Sequence, residues 1–457
     1  MFVNAPMMIH NLSVMGGKKE YRYNLSGNFV DQKGVIINSG YKKFQVRGAF
    51  SHKVNKWLDY DVNMSYMEDQ TYGQTSSAQL SENNSYTTHL MYRVWGYKPI
   101  LSENVDEEDL FDDDITVGVA NTVMNPYVSN MNEQVFRKKS RILLNGKVEF
   151  KLCEGLKLTV KGGYDRLVVR REEFYNSKTY KGYSSAYNNK DVNGLFNEQN
   201  KSSWLSENTL SYKKKFGKAH TLDLLAGFTL QGTKSDLFAF TDIKVPNEDL
   251  GISGMDDGLP ETTTVTLSRN TLMSAIARAN YQLLGRYLFT FSLRADGSSK
   301  FTRGHRWGVF PSGAFAWRMG QEPWMKAAGF IDDAKLRISY GVTGNNRIDD
   351  FAAYGSLVMG DHYAMDNNVK EAIVPSNLGN DELTWESTSQ IDIGYDIHFF
   401  GSRLNATIDL YRKITDNLLL NANVPYSSGY SNVYKNVGKV MNDGLELTLN
   451  TVNIRTK

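Results

Sequence analysis

The sequence predicts an all-β protein, an antiparallel transmembrane β-barrel, on three observations. Its apolar residues recur with a period of two, its connections alternate between short and long, and tryptophans stand at two matching depths of one strand. The period is plainest in "RYLFTFSLRADGSSKF" (286–301), where Tyr287, Phe289, Phe291 and Leu293 alternate with Thr290, Ser292, Arg294 and Asp296. Successive side chains of a strand point to opposite faces, so this segment has one apolar and one polar face.

The same pattern recurs from one end of the chain to the other. "EYRYNLSGNF" sets Tyr21, Tyr23, Leu25 and Phe29 against Arg22, Asn24, Ser26 and Asn28. "KFQVRGAF", "LDYDVNMSY", "RILLNGKVEF", "LKLTVKGGYD" and "TLDLLAGFTL" follow. In "QIDIGYDIHFF", Ile391, Ile393, Tyr395, Ile397 and Phe399 alternate with Asp392, Gly394, Asp396 and His398. "RLNATIDLYRK" and "LELTLN" close the series. By this criterion there are about fifteen strands, most of roughly ten to fifteen residues. The one short helix candidate is "EPWMKAAGF" (322–330), with Pro323 as its first-turn proline.

Tight connections fall at "MGGKK", "KVNKW", "CEG", "KKFGKA", "LGR" and "FGS", with "GQEPWMKAAGFIDD" as a longer member. Between them come long polar stretches at 68–137, 171–201, 234–265, 345–384 and 416–437. Alternation of this kind places all the long loops at one end of the sheet, the extracellular end of a membrane barrel. A soluble β-sandwich has strands of about five or six residues and no such sorting of its loops. In "RWGVFPSGAFAWR", Trp307 and Trp317 share a face. At ~3.3 Å per residue and ~45° of tilt they stand roughly 23 Å apart along the membrane normal, close to the ~25 Å band between aromatic girdles. Pro311, inside that strand, cannot donate to a ladder, and a β-bulge is expected there.

Composition agrees with two-faced strands and narrows the function. The 457 residues include 26 Tyr and 22 Phe, yet mean hydropathy is negative. A net charge of +2 gives no reason to expect nucleic acid as a partner. Lys213, Lys214 and Lys215, the one tight basic run, read as a solvated turn. Cys153 is alone, which rules out an intrachain disulfide or a cysteine zinc site. No run of ~18 apolar residues occurs, and "MFVNAPMMIHNLSV" is not a signal peptide, so a targeting segment is expected upstream of residue 1.

"SLRADGSSKF", "RWGVFPSGAFAWR", "LRISYGVTGNN", "NDELTWESTSQIDIGYD" and "NVGKVMNDGLELTLN" resemble, in this order, the barrel of the SusC/RagA-type TonB-dependent outer-membrane transporters. "APMMIHNLSVMGGKKEYRYNLSGNFVDQKGVIINSGYKKF" is similar to the start of that barrel. The resemblance implies an outer-membrane importer of glycans, oligosaccharides or peptides, with a barrel of about 22 strands filled by a plug. It also implies energy from a TonB–ExbB–ExbD complex and a SusD-like surface lipoprotein over the mouth. The plug and TonB box of that family have no counterpart here, and "VNIRTK" is not the aromatic-ended strand with which its members finish. The expectation is therefore an internal barrel fragment, a single partial domain over 1–457 without its plug, whose end strands at "HNLSV" and "LELTLN" do not pair.

Chemistry of the catalytic kind is not indicated, and no cofactor is expected. Seven His (10, 52, 89, 220, 305, 362 and 398) form no H-E-x-x-H and no i, i+4 pair. No phosphate loop, nucleophile elbow or dinucleotide fingerprint occurs. "DEEDLFDDD" (106–114) lacks calcium-loop spacing and reads as a solvated loop, and "GMDDG" (254–258) as a turn. The candidate substrate contact is "YTTHLMYRVWGYKP", with Tyr92, Trp95 and Tyr97 close together. Aromatic rings stack on the C–H faces of sugars, whereas the structural alternative has these rings pack the base of the loop. Two other functions fit the pattern: a siderophore or cobalamin receptor on the same architecture, and a non-transporting surface adhesin.

Overall fold

The computed structural model describes residues 1–74, 90–97, 124–184, 189–365 and 368–454. Its strands are β1 (Met7–Gly17), β2 (Tyr21–Lys33), β3 (Gly40–Lys53), β4 (Leu58–Tyr72), β5 (Glu133–Cys153) and β6 (Leu156–Tyr175). Next come β7 (Asn193–Phe216), β8 (His220–Ile243), β9 (Leu259–Leu283), β10 (Tyr287–Ser298), β11 (Trp307–Trp317) and β12 (Ile331–Asn345). The last seven are β13 (Ser356–Met365), β14 (Asn368–Leu378), β15 (Glu386–Phe399), β16 (Leu404–Asp416), β17 (Leu419–Asn423), β18 (Asn432–Asn436) and β19 (Lys439–Thr451). Fifteen of them form one sheet in the order β1 to β12, β15, β16, β19. The four short ones form a second sheet, β13-β14-β18-β17, built from two connections of the first.

Every pairing in the large sheet is antiparallel between strands that follow one another in it, so its connections fall alternately at two ends. One end, the turn end, receives 18–20, 54–57, 154–155, 217–219, 284–286, 318–330 and 400–403. The other, the loop end, receives 34–39, 73–132, 176–192, 244–258, 299–306, 346–385 and 417–438. Glycine tightens the first set where it must: Gly155 has φ +77°, and a Cβ there would lie 2.2 Å from the Lys213 carbonyl oxygen. The helix expected over 322–330 is a single turn at Pro323–Lys326.

One face of the sheet is apolar and the other polar. Phe289, Phe315, Ile338, Ile393, Leu410 and Leu445 stand opposite one another in register across six strands. All but the first two are among the exposed large hydrophobics. On the opposite face Arg337 bonds Asp396 at 2.8 and 3.0 Å and Asp409 at 2.8 Å.

Strand ends depart from the sequence reading. About half of each of the stretches 171–201 and 234–265 is strand, and the connections shrink to 176–192 and 244–258. Strands β5 to β9 run 20 to 25 residues. At ~3.3 Å per residue and ~45° of tilt, 24 residues rise roughly 56 Å, twice the ~25 Å apolar band. Beyond that band both faces of a strand meet water, so the alternation that reveals a strand fades while its backbone ladder continues. Lys213, Lys214 and Lys215 are likewise the exposed end of β7 and not a turn, and 254–258 ends a 3-10 segment, Glu248–Asp257, that buries Met255.

No bulge occurs at Pro311, which stays in register with Leu293. The β11–β12 ladder instead stops at Ser312, so proline is the first residue that need not donate to β12. Beyond it the two strands part, and Phe310 fills the seam. Its ring lies where a Cβ on Gly344 of β12 would come within 2.0 Å of it. Bulges do accompany the other two strand prolines, Pro260 opposite Asp242 and Pro375 opposite Leu357.

Candidate functional site

The polar face carries registered ion pairs. Lys151 bonds Asp59 at 2.6 Å, Lys147 bonds Asp61 at 3.2 Å, and Lys161 bonds Glu207 at 2.6 Å. Arg141 grips Asp165 through two nitrogens at 2.9 and 2.6 Å, and Arg294 holds Asp296 at 2.8 Å. Apart from the buried Asp296, the side chains in these pairs stay partly exposed, as suits a face that water wets. Charges of both signs are thus fixed along one face with no strong net field.

At the loop end this face is covered by chain. Helix α1 (Leu90–Gly96) and helix α2 (Pro126–Asn132) both belong to the connection 73–132. Asn125 caps α2 by accepting from the Tyr127 and Val128 amides, and Pro126 opens its first turn. Both helices dock around Glu133, the first residue of β5, which shares its face with Arg141 and Lys147. Arg93 of α1 donates to Ser129 Oγ at 3.0 Å and lies 3.7 Å from Glu133 Oε1, both side chains being buried. Ser129 Oγ donates to Glu133 at 2.8 Å and accepts from the Tyr180 amide at 3.0 Å. Burial pushes the Glu133 carboxyl above the usual carboxylate range and the Arg93 guanidinium below its own, against the attraction between them. Tyr175, beside Glu173 and Lys181, is buried in the same knot, and burial raises its hydroxyl.

The three sequence candidates lie on or just after α1. Trp95 is 81% exposed. Tyr97 follows the helix, and its amide donates to the Arg93 carbonyl at 3.1 Å. Tyr92 lies within the helix, its side chain outside the described residues, as is the acidic run 106–114. Sequence reasoning missed Arg93, because nothing in "YRVW" marks its arginine as buried.

It also missed what the quoted motifs do together. Phe301, Phe310, Leu383 and Trp385 come from three of them and meet in one buried cluster at the loop end, with Ile348, Ala352 and Ala353. Asn346 donates to Ser298 and Asn345 to Glu386, both at 3.0 Å, and Trp385 Nε1 reaches the Arg306 carbonyl at 2.8 Å. Asn436 donates to the Thr384 carbonyl at 2.8 Å and accepts from its amide at 2.9 Å. These motifs anchor loop bases.

A family model described as TonB dependent receptor-like, beta-barrel, matches residues 71–454. TonB-dependent receptor P3 of Formosa agariphila is 29% identical over 455 residues, covering 97% of this chain and 43% of that protein. TonB-dependent receptor SusC of Bacteroides thetaiotaomicron is 26% identical over 489 residues, covering 100% of this chain and 46% of its own. The chain therefore spans less than half the length of these curated relatives. Among solved structures, the RagAB peptide transporter matches with a TM-score of 0.79 at 23% identity, over 100% of this chain and 49% of that one. The siderophore receptor PirA from Acinetobacter baumannii matches with a TM-score of 0.54 at 13% identity, over 97% and 57%. The family is one of receptors and transporters, not of enzymes. With a fifteen-stranded two-faced sheet among its described residues, this chain belongs to the TonB-dependent receptor β-barrel family.

Proposed function

We propose that this chain is barrel wall of an outer-membrane importer that takes up oligosaccharides or peptides with energy from TonB and with a SusD-like lipoprotein over its mouth. The observation that carries the reading is the two-faced sheet. An unbroken apolar row suits lipid, and a face of paired charges suits a hydrated passage. The loop end is then the extracellular one, and the exposed Trp95 with its neighbours Tyr92 and Tyr97 offers rings for a sugar face or an apolar peptide side chain. No bond is made or broken in this reading; the wall binds, orients and lets pass.

The test uses cells carrying the complete gene, its deletion, or the gene without TonB. Each is offered a fluorescently labelled pool of oligosaccharides, a labelled pool of tryptic peptides, and a ferric siderophore. Uptake of one of the first two pools that needs both gene and TonB supports the proposal, and the pool identifies the class. Uptake of the siderophore alone would favour the receptor alternative, and surface attachment without uptake of anything would favour an adhesin.

A further inference from the structure

We propose that Arg93 is the positioning residue of the mouth: its buried guanidinium latches α1 to the barrel wall and so sets where Trp95 stands. The proposal rests on the reading that α1 meets substrate. A helix of seven residues does not hold itself in water, so α1 depends on what it touches. Its inner side supplies Leu90 and Arg93, three residues apart and 4% and 3% exposed, while Trp95 points away. One guanidinium gathers three separate parts of the chain. It donates to Ser129 of α2, faces Glu133 at the start of β5, and lies over the Tyr180 ring of connection 176–192, with its carbon 4.9 Å from the centroid. Ser129 completes the tie, since its one hydroxyl serves Arg93, Glu133 and the Tyr180 amide at once.

The latch is close to all-or-none. Among the described residues Arg93 Nε and Glu133 Oε2 are buried without a hydrogen-bond partner, so charge attraction holds the pair more than fitted bonds do. Removing either partner leaves the other charge buried and unpaired, and the segment must move to solvate it. Lysine cannot replace arginine here, because a point ammonium cannot lie flat on Tyr180 while reaching Ser129. Two loops would then be released together, since both meet at the same group.

The experiment compares Arg93→Met, Arg93→Lys, Glu133→Gln and Trp95→Ala in the full-length transporter, purified in detergent and expressed in cells. Hydrogen exchange is read over 90–97 and 176–184, with β6 and β7 as internal controls. Arg93→Met should speed exchange at least tenfold in both loop segments and leave the strands unchanged; Arg93→Lys should do nearly the same. Glu133→Gln, which keeps its shape and its contact with Ser129, should give a smaller rise in the same segments, and it carries the test where the methionine variant fails to assemble. In uptake of the labelled pools, Arg93→Met should raise the half-saturating concentration about tenfold at unchanged maximal rate. Trp95→Ala should do the same without altering exchange. Unchanged exchange at 90–97 in both Arg93→Met and Glu133→Gln would overturn the latch. Faster exchange with unaltered half-saturation in all variants would uphold the latch and overturn substrate contact by α1.

Discussion

Ile408 and Thr407 are neighbours in β16 on opposite faces of the wall, and they separate two solvents. Ile408 is exposed on the apolar face beside Tyr395, whereas Thr407 donates to Asp396 at 3.2 Å on the polar one. In a complete barrel folded reversibly into lipid vesicles, Ile408→Lys is expected to cost about 2–4 kcal/mol near the bilayer midplane. Thr407→Lys should be far milder, since its ammonium enters a wet face that already holds lysines. Equal stability of the two variants would refute the assignment of faces. This part of the molecule was legible at the residue scale, because period two needs no knowledge of any distant contact. Glu322, at the turn end, was not legible. Trp317, Tyr287 and Arg286 all donate to its carboxylate and hold it below the usual carboxylate range. A lowered folded value means that the unfolded chain binds the proton more readily, so this contribution is present above the ordinary carboxylate pKa of about 4.3 and fades as pH falls through the folded value. Trp324, edge-on to Trp317 at 6.4 Å, reports on it. A fluorotryptophan resonance at 324 should shift as pH falls below the ordinary carboxylate range, and Glu322→Gln should abolish that step.

Between β11 and β12 an element-scale rule is broken and repaired. The ladder ends at Ser312, and the gap toward the loop end is closed by side chains instead of backbone bonds. Phe310 lies there against Trp385, with centroids 5.4 Å apart, and Phe301 packs on the other side of that tryptophan at 5.5 Å. Phe310→Ala should therefore cost about 3–5 kcal/mol as a core truncation, and it should open exchange at 342–345 before other parts of β12. A loss within about half a kcal/mol would mean that the seam is sealed by something else. The sequence pointed to this place for the wrong reason. A proline in a strand forecast a bulge, whereas a ladder can equally end beside it when a core is available to take over. That core draws on residues 301, 310, 348 and 385, and no local pattern joins them. The second sheet escaped notice likewise, since β17 and β18 have five residues each and lie in a stretch rich in asparagine and serine. At the candidate site the aromatic residues of α1 stood out by type, but the arginine that seats them becomes visible only once Ser129, Glu133 and Tyr180 surround it.

At the scale of the whole molecule, the sheet has two ends that do not meet. Among the described residues β1 pairs only with β2 and β19 only with β16, so each leaves a row of backbone donors and acceptors facing outward. In hydrocarbon such groups cost several kcal/mol apiece, which is why only closed barrels cross membranes with strands. The matching TonB-dependent receptors are more than twice as long as this chain. Residues 1–457 expressed without any such additional chain are therefore expected to aggregate through these edges and to form no pore. The exposed row at Leu445, Leu447 and Leu449, carried on an edge strand, makes β19 the expected first contact: apolar side chains and unpaired backbone lie on one element. Light scattering of the refolded chain and single-channel recording in planar bilayers test this together. Discrete conductance, or cross-linking that shows β1 joined to β19 in a monomer, would mean that fifteen strands suffice to close the wall. Aggregation that is suppressed by placing lysines at 447 and 449 would locate the exposed edge at β19.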